Sequence, residues 1–445
     1  MQNKVTCSLG VCLLENGFSA DELVCRLKDL FEEKAFGEIL KHILLLVEEV
    51  LRLNVMLGKA SPVKCECGCD RLTLNGGQAR TISTGLGNIV LTRIARVKCR
   101  QCGKTFSPLM RFLGVAPHQS KTAELEKLVL EETAGNSYRR ANKSVRKMTG
   151  ITVGHSTFHN WVLKTSADEI KIPDGIIGSV PGEIFADGTK CKSIGTDGKP
   201  VRGDIKVMLG VNANGEVFPI GTWTHHENWE DISRQIDERK VKFPDGTILV
   251  SDGEPGLAEA LSKHASAQQR CHWHLTRDTY HAMWQDGGKT NDARPVQDAL
   301  KAIFAVELPK DDFQKVTESE KDDIEERMEK AENHIDKLIA YLRSKRYDTA
   351  ADYLQRSKAY MFNYVRRWLR LGISCPRASS LIERTMREIA RRVKKISYNW
   401  KEDGLGKIVK IVLKLFSQPE EWERYWKDRM NINQSVMLSF KILKT

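Results

Sequence analysis

Two apolar runs, each closing on an Asp-Gly pair, constrain this chain more than any other feature. Ile184-Phe185-Ala186 leads into Asp187-Gly188, and Ile248-Leu249-Val250-Ser251 leads into Asp252-Gly253. A short continuous apolar run bounded by turn residues reads as a buried strand. A carboxylate at the end of such a strand emerges at the sheet edge, so two adjacent strands present both side chains to one point. Hard cations such as Mg2+ favour carboxylate oxygens there and keep waters that a substrate displaces.

The flanking pattern supplies an order of elements. Strands are expected over Glu183–Asp187, Ile205–Val211 and Val217–Trp223, with turns at Asp197-Gly198 and Asn214-Gly215. A helix over Trp229–Val241, a strand over Thr247–Asp252, a helix over Glu254–His264 and a short strand over Gln268–His272 follow. Three strands, helix, strand, helix, strand matches a ribonuclease-H-like α/β core, in which a third carboxylate arrives from a later helix. The candidate is Glu383, within Ser379–Arg392. Glu388 competes: five residues on, it sits about 140° round an α-helix, so only one of the two faces the same point. From about Leu275 to Cys375 the sequence is polar and helical, and basic helices are expected over Ala378–Lys395 and Leu405–Phe416.

Cysteine supplies a second constraint. Of 11 cysteines, five fall in two clusters, Cys65-Glu-Cys67-Gly-Cys69 and Cys99-Arg-Gln-Cys102-Gly. Strands over Arg80–Ser83 and Asn88–Val97, joined at Gly85–Gly87, lie between them. Thiolates paired this way give tetrahedral Zn2+ coordination. Cys65, Cys67, Cys99 and Cys102 form the favoured zinc-ribbon set, with Cys69 as a further candidate. Met1–Gly10 lacks a basic segment followed by an apolar one, so no secretory signal is expected and a reducing cytoplasm fits unpaired thiols. Cys271 and His274, in Arg270-Cys271-His272-Trp273-His274, have no second close pair and read as a buried structural pairing beside the carboxylates.

Residues 20–57 carry helical spacing, with Ser19 as a cap and a break near Phe36-Gly37. A helix-turn-helix is expected further on. Its first helix begins at Ser137-Tyr138, has Val145 and Met148 on its apolar face, and carries Arg139, Arg140, Lys143 and Arg146. Thr149-Gly150-Ile151-Thr152 is the turn. The second helix offers His155, Thr157, His159 and Asn160 to base edges or phosphates.

Length and composition bound the rest. A chain of 445 residues implies two to four domains, and 41% hydrophobic with 29% charged residues excludes general disorder. The greasiest stretch, Ile43–Val50, is interrupted by Glu48 and Glu49, so no membrane span is expected. Net charge is +12, and Pro376–Thr445 holds 16 Lys+Arg against 8 Asp+Glu. Such an excess suits a polyanionic partner.

Taken together, Asp187-Gly188, Ser251-Asp252-Gly253 with Gly256-Leu257, Cys271-x-x-His274 and Ile382-Glu383-Arg384 resemble the Mutator-like superfamily of DDE insertion-sequence transposases, over roughly Gly182–Lys410. Many relatives have Asn shortly before the catalytic Glu, where this chain has Ser379-Ser380, and the N-terminal zinc ribbon suggests a distinct branch. The residue patterns and the resemblance together imply a multidomain α+β chain. It would comprise N-terminal helices (1–60), a zinc ribbon (61–115), a helix-turn-helix DNA-binding region (116–175), the first part of a ribonuclease-H-like core (176–275), an all-helical insertion (276–376) and a catalytic-Glu helix with a basic C-terminal region (377–445). Structural Zn2+ is expected from the cysteine set; the resemblance carries the catalytic triad onto Asp187, Asp252 and Glu383, holding two Mg2+ or Mn2+ ions. It implies cleavage of double-stranded transposon-end DNA and transfer of the 3′-OH to target DNA, by a homodimer or larger synaptic assembly. Arg384, Arg387, Arg391 and Arg392 near Glu383 are candidate phosphate contacts. The compact one-chain design points to a bacterial, cytoplasmic, nucleoid-associated setting. A non-catalytic DNA-binding regulator and a Mg2+-dependent nuclease of the same fold are the competing readings.

Overall fold

The computed structural model describes residues 36–430 apart from 60, 62, 114, 116–117, 152, 171–181, 196–197, 213, 225–226, 311 and 397–399. The helix expected ahead of Phe36, its cap Ser19, and two expected turn residues, Thr152 and Asp197, lie outside the described residues, as does the chain beyond 430. Two compact units emerge. One holds the residues through Lys164 together with those from Glu420; the other is Thr165–Pro419.

In the first unit, helix α1 (Phe36–Met56) packs on a long hairpin of β1 (Leu72–Thr84) and β2 (Gly87–Cys99), to which β3 (Thr105–Phe106) adds. Both long strands exceed their expected lengths, because the antiparallel register runs from Leu72↔Cys99 to Thr84↔Gly87 through two irregularities in a polar stretch. Ile82, Ile89, Leu91 and Ile94 cover one hairpin face and bury Leu44 and Leu51 of α1 with Leu109 and Met110 of α2 (Pro108–Phe112). Buried Glu48 accepts a hydrogen bond from the Ala95 amide. The carboxylate that interrupts the greasy run thus serves a backbone donor that would otherwise be costly to bury.

Helices α3 (Ala123–Gly135), α4 (Tyr138–Thr149) and α5 (His155–Lys164) share a core of Leu125, Val129, Ala141, Val145, Ile151 and Phe158. Ser137 caps α4 by accepting from the Arg140 amide, and Gly150, at φ 69°, ends it in the left-handed region that glycine tolerates. Ala141 and Val145 are the apolar face of α4; Met148, expected beside them, is 51% exposed. The described helix Pro419–Met430 returns to this unit, where Trp422 Nε1 donates to Glu131 at 2.8 Å and Arg429 pairs with Glu126 at 2.9 Å.

The second unit is built on a sheet ordered β6-β5-β4-β7-β8. Strands β4 (Glu183–Ile194), β5 (Pro200–Val211) and β6 (Val217–Trp223) are antiparallel neighbours, while β7 (Ile248–Ser251) runs parallel to both β4 and β8 (Ala267–Arg270). Helices α6 (Trp229–Glu238) and α7 (Leu257–Leu261) bury Trp229, Ile232, Ile236, Leu257 and Leu261 against Ile184, Ala186, Met208, Phe218 and Ile220 of the sheet. The helix expected from Glu254 starts only at Leu257, because Gly253 and Gly256 adopt φ of 91° and 79°.

Helices α8 (His272–Gln285), α9 (Thr290–Ile303), α10 (Glu318–Ser344), α11 (Asp348–Ser357) and α12 (Asn363–Leu371) follow, with no strand among the described residues between β8 and α13 (Ser380–Ala390). A π-helical turn, Arg391–Ile396, then leads to β9 (Trp400–Lys401), which pairs with β4, and to α14 (Glu402–Ser417). Among the described residues no helix is long and apolar enough to cross a membrane.

Candidate functional site

Strand β4 does not end at Asp187. It continues to Ile194, because β5 pairs with it along its whole length. What stops near Asp187 is the parallel partner: β7 pairs with β4 only over Glu183–Phe185 against Ile248–Val250. Extending that register by two residues brings Asp187 level with Asp252. Asp187 Oδ1 accepts from the Gly188 amide at 2.7 Å, and Asp252 Oδ1 from the Glu254 amide at 2.9 Å. Burial, then the neighbouring Asp252 carboxylate, pushes the Asp187 carboxyl up to about 7. Like charges brought together out of water cannot both ionise freely, which is the electrostatic signature of a site that gains from a cation.

Helix α13 brings Glu383 to the same neighbourhood. Ser379, buried at the start of α13, does not cap the helix with its hydroxyl. Instead its Oγ donates to Glu383 Oε1 at 2.7 Å and lies 3.3 Å from His274 Nδ1, while its amide donates to Cys271 Sγ at 3.4 Å. His274 Nδ1 is 3.6 Å from Glu383 Oε1. Cys271 and His274 are thus a buried pair under the Glu383 helix. The ligand atoms of Cys271, His274 and Glu383 lie within 4.8 Å of one another, close enough to hold a metal ion. Burial pushes the Cys271 thiol up, but hydrogen bonds from His274 and Ser379 outweigh it and bring it below its usual value. Burial pushes His274 down, and its bond to Cys271 outweighs that and raises it; Asp252 adds to the rise. Glu388, the competitor, pairs instead with Arg391 at 2.9 Å.

Around Asp252 lies a cavity of about 550 Å³ whose lining includes Asp204, Glu254, Arg270, Asp278 and Tyr353, none of which sequence patterns had singled out. Burial raises the Glu254 carboxyl, with Asp252 adding to the rise. Arg270, directly before Cys271, donates to Tyr353 Oη at 3.0 Å, tying the sheet to α11. Its guanidinium sits 1.7 Å from where a Cβ on Gly253 would stand. The Asp252-Gly253 pairing therefore has a packing reason beyond its turn. Glu254, two residues past Asp252, was the one signal in the sequence for this richer acidic lining.

The basic candidates fall in two places. Arg139, Arg140, Lys143 and Arg146 are exposed on α4, as are His155 and Asn160 on α5; Thr157 and His159 are half-buried, with the His159 ring 5.2 Å from that of Tyr138. Arg384, Arg387 and Arg391 are exposed on and just after α13, whereas Arg392 is buried with its guanidinium 4.8 Å from the Trp400 ring.

The hairpin ends gather four thiols. Cys65 and Cys102 sulfurs are 3.4 Å apart, Cys67 and Cys99 are 3.6 Å apart, and all four lie within 4.8 Å of one another. Metal–sulfur bonds of ~2.3 Å at tetrahedral angles imply sulfur separations of about 3.8 Å, so this set fits Zn2+. Gly68 and Gly103, at φ 83° and 74°, supply the tight turns after the ligands. Backbone hydrogen bonds lead in bringing the Cys99 thiol down to about 6. At Cys67, 3.6 Å away, a backbone hydrogen bond from Cys69 is outweighed by burial and the neighbouring thiols, which push the thiol up to about 12. Close thiols share their protons unevenly, and a metal would displace those that remain. Cys69 points away, donating to the Arg71 carbonyl at 3.7 Å.

A family model described as "Transposase, Mutator family" matches residues 64–424. No curated protein matches the chain.

Proposed function

The chain belongs to the Mutator family of transposases, and from that premise we propose that it is a DDE enzyme, cutting element-end DNA and joining the freed 3′-OH to target DNA. Asp187, Asp252 and Glu383 are its catalytic carboxylates. What supports this reading is the parallel register that brings Asp187 level with Asp252, together with the packing of the Glu383 helix against β4. An antiparallel β6-β5-β4 set followed by parallel β7 and β8, with helices inserted before α13, supports a ribonuclease-H-like core. Residues 276–376 are its helical insertion.

The donor set is all carboxylate oxygen, which fits Mg2+ or Mn2+. Such ions, when bound, supply activation of the attacking hydroxyl and stabilisation of the leaving oxygen. The chain's own part is to aim the donors. Parallel pairing of β4 and β7 fixes the two aspartates side by side, and Ser379 fixes the Glu383 carboxylate through a single hydrogen bond. Arg384 and Arg387, exposed on the same helix as Glu383, hold DNA phosphates. Helices α4 and α5 act as the helix-turn-helix that binds the element end, with Arg139, Arg140, Lys143 and Arg146 on phosphates and His155, Thr157, His159 and Asn160 toward the groove. Structural Zn2+ sits on Cys65, Cys67, Cys99 and Cys102, and the working form is a synaptic homodimer or larger.

The test is purified protein with Mg2+ or Mn2+ and labelled duplex carrying the end of the flanking element, beside Asp252→Asn. Metal-dependent nicking and joining to a plasmid, both lost in the variant, is the expected result. Nicking without joining would mark a nuclease, and tight binding without chemistry in either protein a regulator.

A further inference from the structure

One cavity of the second unit has the opposite character to the acidic one at Asp252. It measures about 540 Å³ and lies at the start of α8 and the end of α9. Its lining includes Trp273, Arg277, Lys301, Phe304 and Arg377, with Glu307 as its single carboxylate. The indole of Trp273 is 55% exposed. Trp284, on the same helix, is more exposed still at 69%, and a single exposed ring is ordinary; what sets Trp273 apart is that it lines a cavity together with cationic side chains. The Arg277 guanidinium lies 4.9 Å from its ring centroid and also pairs with Asp278 at 2.6 Å, which fixes the arginine on the indole.

The position of Trp273 is set by its neighbours in the chain. His272 is buried, its Nε2–H donating to the Met361 carbonyl at 2.7 Å and its ring stacked 4.1 Å from Phe304. His274 faces Glu383. Trp273 lies between them in the chain, its ring edge-on to that of His274 with centroids 4.8 Å apart, one residue from the group that touches the proposed catalytic glutamate. Arg377 is held beside it by donating to the Phe304 carbonyl at 3.2 Å. Lys301 pairs with Asp298 at 3.2 Å in an exposed ion pair that a phosphate can displace. An indole with Arg277, Lys301 and Arg377 near it matches the two demands of a single-stranded nucleotide, a flat face for the base and positive charge for the phosphate. A paired base buries its faces in the stack and cannot use such a surface.

We propose that this cavity takes an unpaired base of the DNA strand engaged at Glu383, stacked on Trp273, with its phosphates against Lys301 and Arg377. The inference rests on the transposase reading. It adds that the duplex is locally opened beside the cleavage point, and that Trp273 holds the released base.

The test is a thermodynamic cycle. Binding of the element-end duplex is measured in Ca2+, for wild type and Trp273→Ala, on DNA carrying a single abasic residue scanned across the cleavage point. Stacking predicts one position at which the two losses fail to multiply: each alone costs about ten-fold, and together they cost little more than one. Trp273→Tyr should retain most of the affinity and the same coupled position. Losses that multiply at every position would overturn the stacked base while leaving the transposase reading intact, since wild-type cleavage in Mg2+ on the unmodified duplex is scored in parallel. A wild-type protein that neither prefers the element end over scrambled duplex nor cuts it would overturn both. Because Trp273 is exposed, its variants are expected to melt within a few degrees of wild type.

Discussion

A single hydroxyl carries an unusual share of the proposed chemistry. Ser379 donates to Glu383 Oε1 and touches both Cys271 and His274, so the Cys-x-x-His signature acts as the floor on which the glutamate is aimed. Outer groups that orient metal-binding carboxylates typically govern 10–100-fold in affinity or rate. Ser379→Ala should therefore lower Mg2+-dependent cleavage by roughly that factor and raise the Mg2+ concentration for half-maximal rate. Ser379→Thr, which keeps the hydroxyl, should recover most of it; Mg2+ titrations of the three proteins decide. Asp187 predicts a stability effect of definite sign. Its carboxyl is raised from 3.8 to about 7 in the fold, so between those values the folded protein binds more protons than the unfolded chain. The stabilisation this gives is full below about pH 4 and lost as pH rises through 7. Without added Mg2+, Asp187→Asn should remove that slope and raise the melting temperature at pH 8 by about 4–8 °C, on the order of 2 kcal/mol once screening is discounted. Thermal melts across pH 5–8 check it, and Mg2+ should narrow the gap between the two proteins.

At the scale of elements, the cysteine hairpin makes the cleanest distinction. Cys67 lies among the four sulfurs while Cys69 bonds outward to Arg71. Cys67→Ser should lose bound zinc and destabilise the α1–hairpin region, whereas Cys69→Ser should keep one zinc per chain; metal analysis with circular dichroism separates them. Sequence left that choice open, because spacing alone cannot say which way a sulfur turns. The strand order around Asp187 and Asp252 was legible, since buried parallel strands leave unbroken apolar runs such as Ile248–Val250. Their extents were not: β4 runs on to Ile194 in a polar stretch whose pairing with β5 no local pattern announces. Glu383 against Glu388 was undecidable from a helical wheel, which gives relative angle but not absolute facing. The contact that distinguishes them, to Ser379 and His274, spans more than a hundred residues for the histidine. The same holds for Arg270, whose partner Tyr353 is 83 residues away.

The chain as a whole is a polycation of +12, and its charge should be felt as salt dependence. The first unit closes on itself through the returning helix, where Trp422 and Trp426 are 1% and 0% exposed, and so offers α4 on a folded support rather than as a loose basic arm. On that helix Arg139, Arg140 and Arg146 are exposed and carry no ion pair among the described residues. Side chains of this kind neutralise phosphates and release counterions, each contributing about 0.9 to the slope of log affinity against log salt. Replacing the three with alanine should weaken element-end binding and flatten that slope by roughly 2–3, read from binding isotherms at several NaCl concentrations. If these arginines read phosphates alone, discrimination between the element end and a scrambled duplex should survive at low salt. A loss of discrimination would move base recognition onto α4 and away from His155 and Asn160. The carboxylates of the second unit are no part of this term, so Asp252→Asn should abolish cleavage with the wild-type salt slope unchanged.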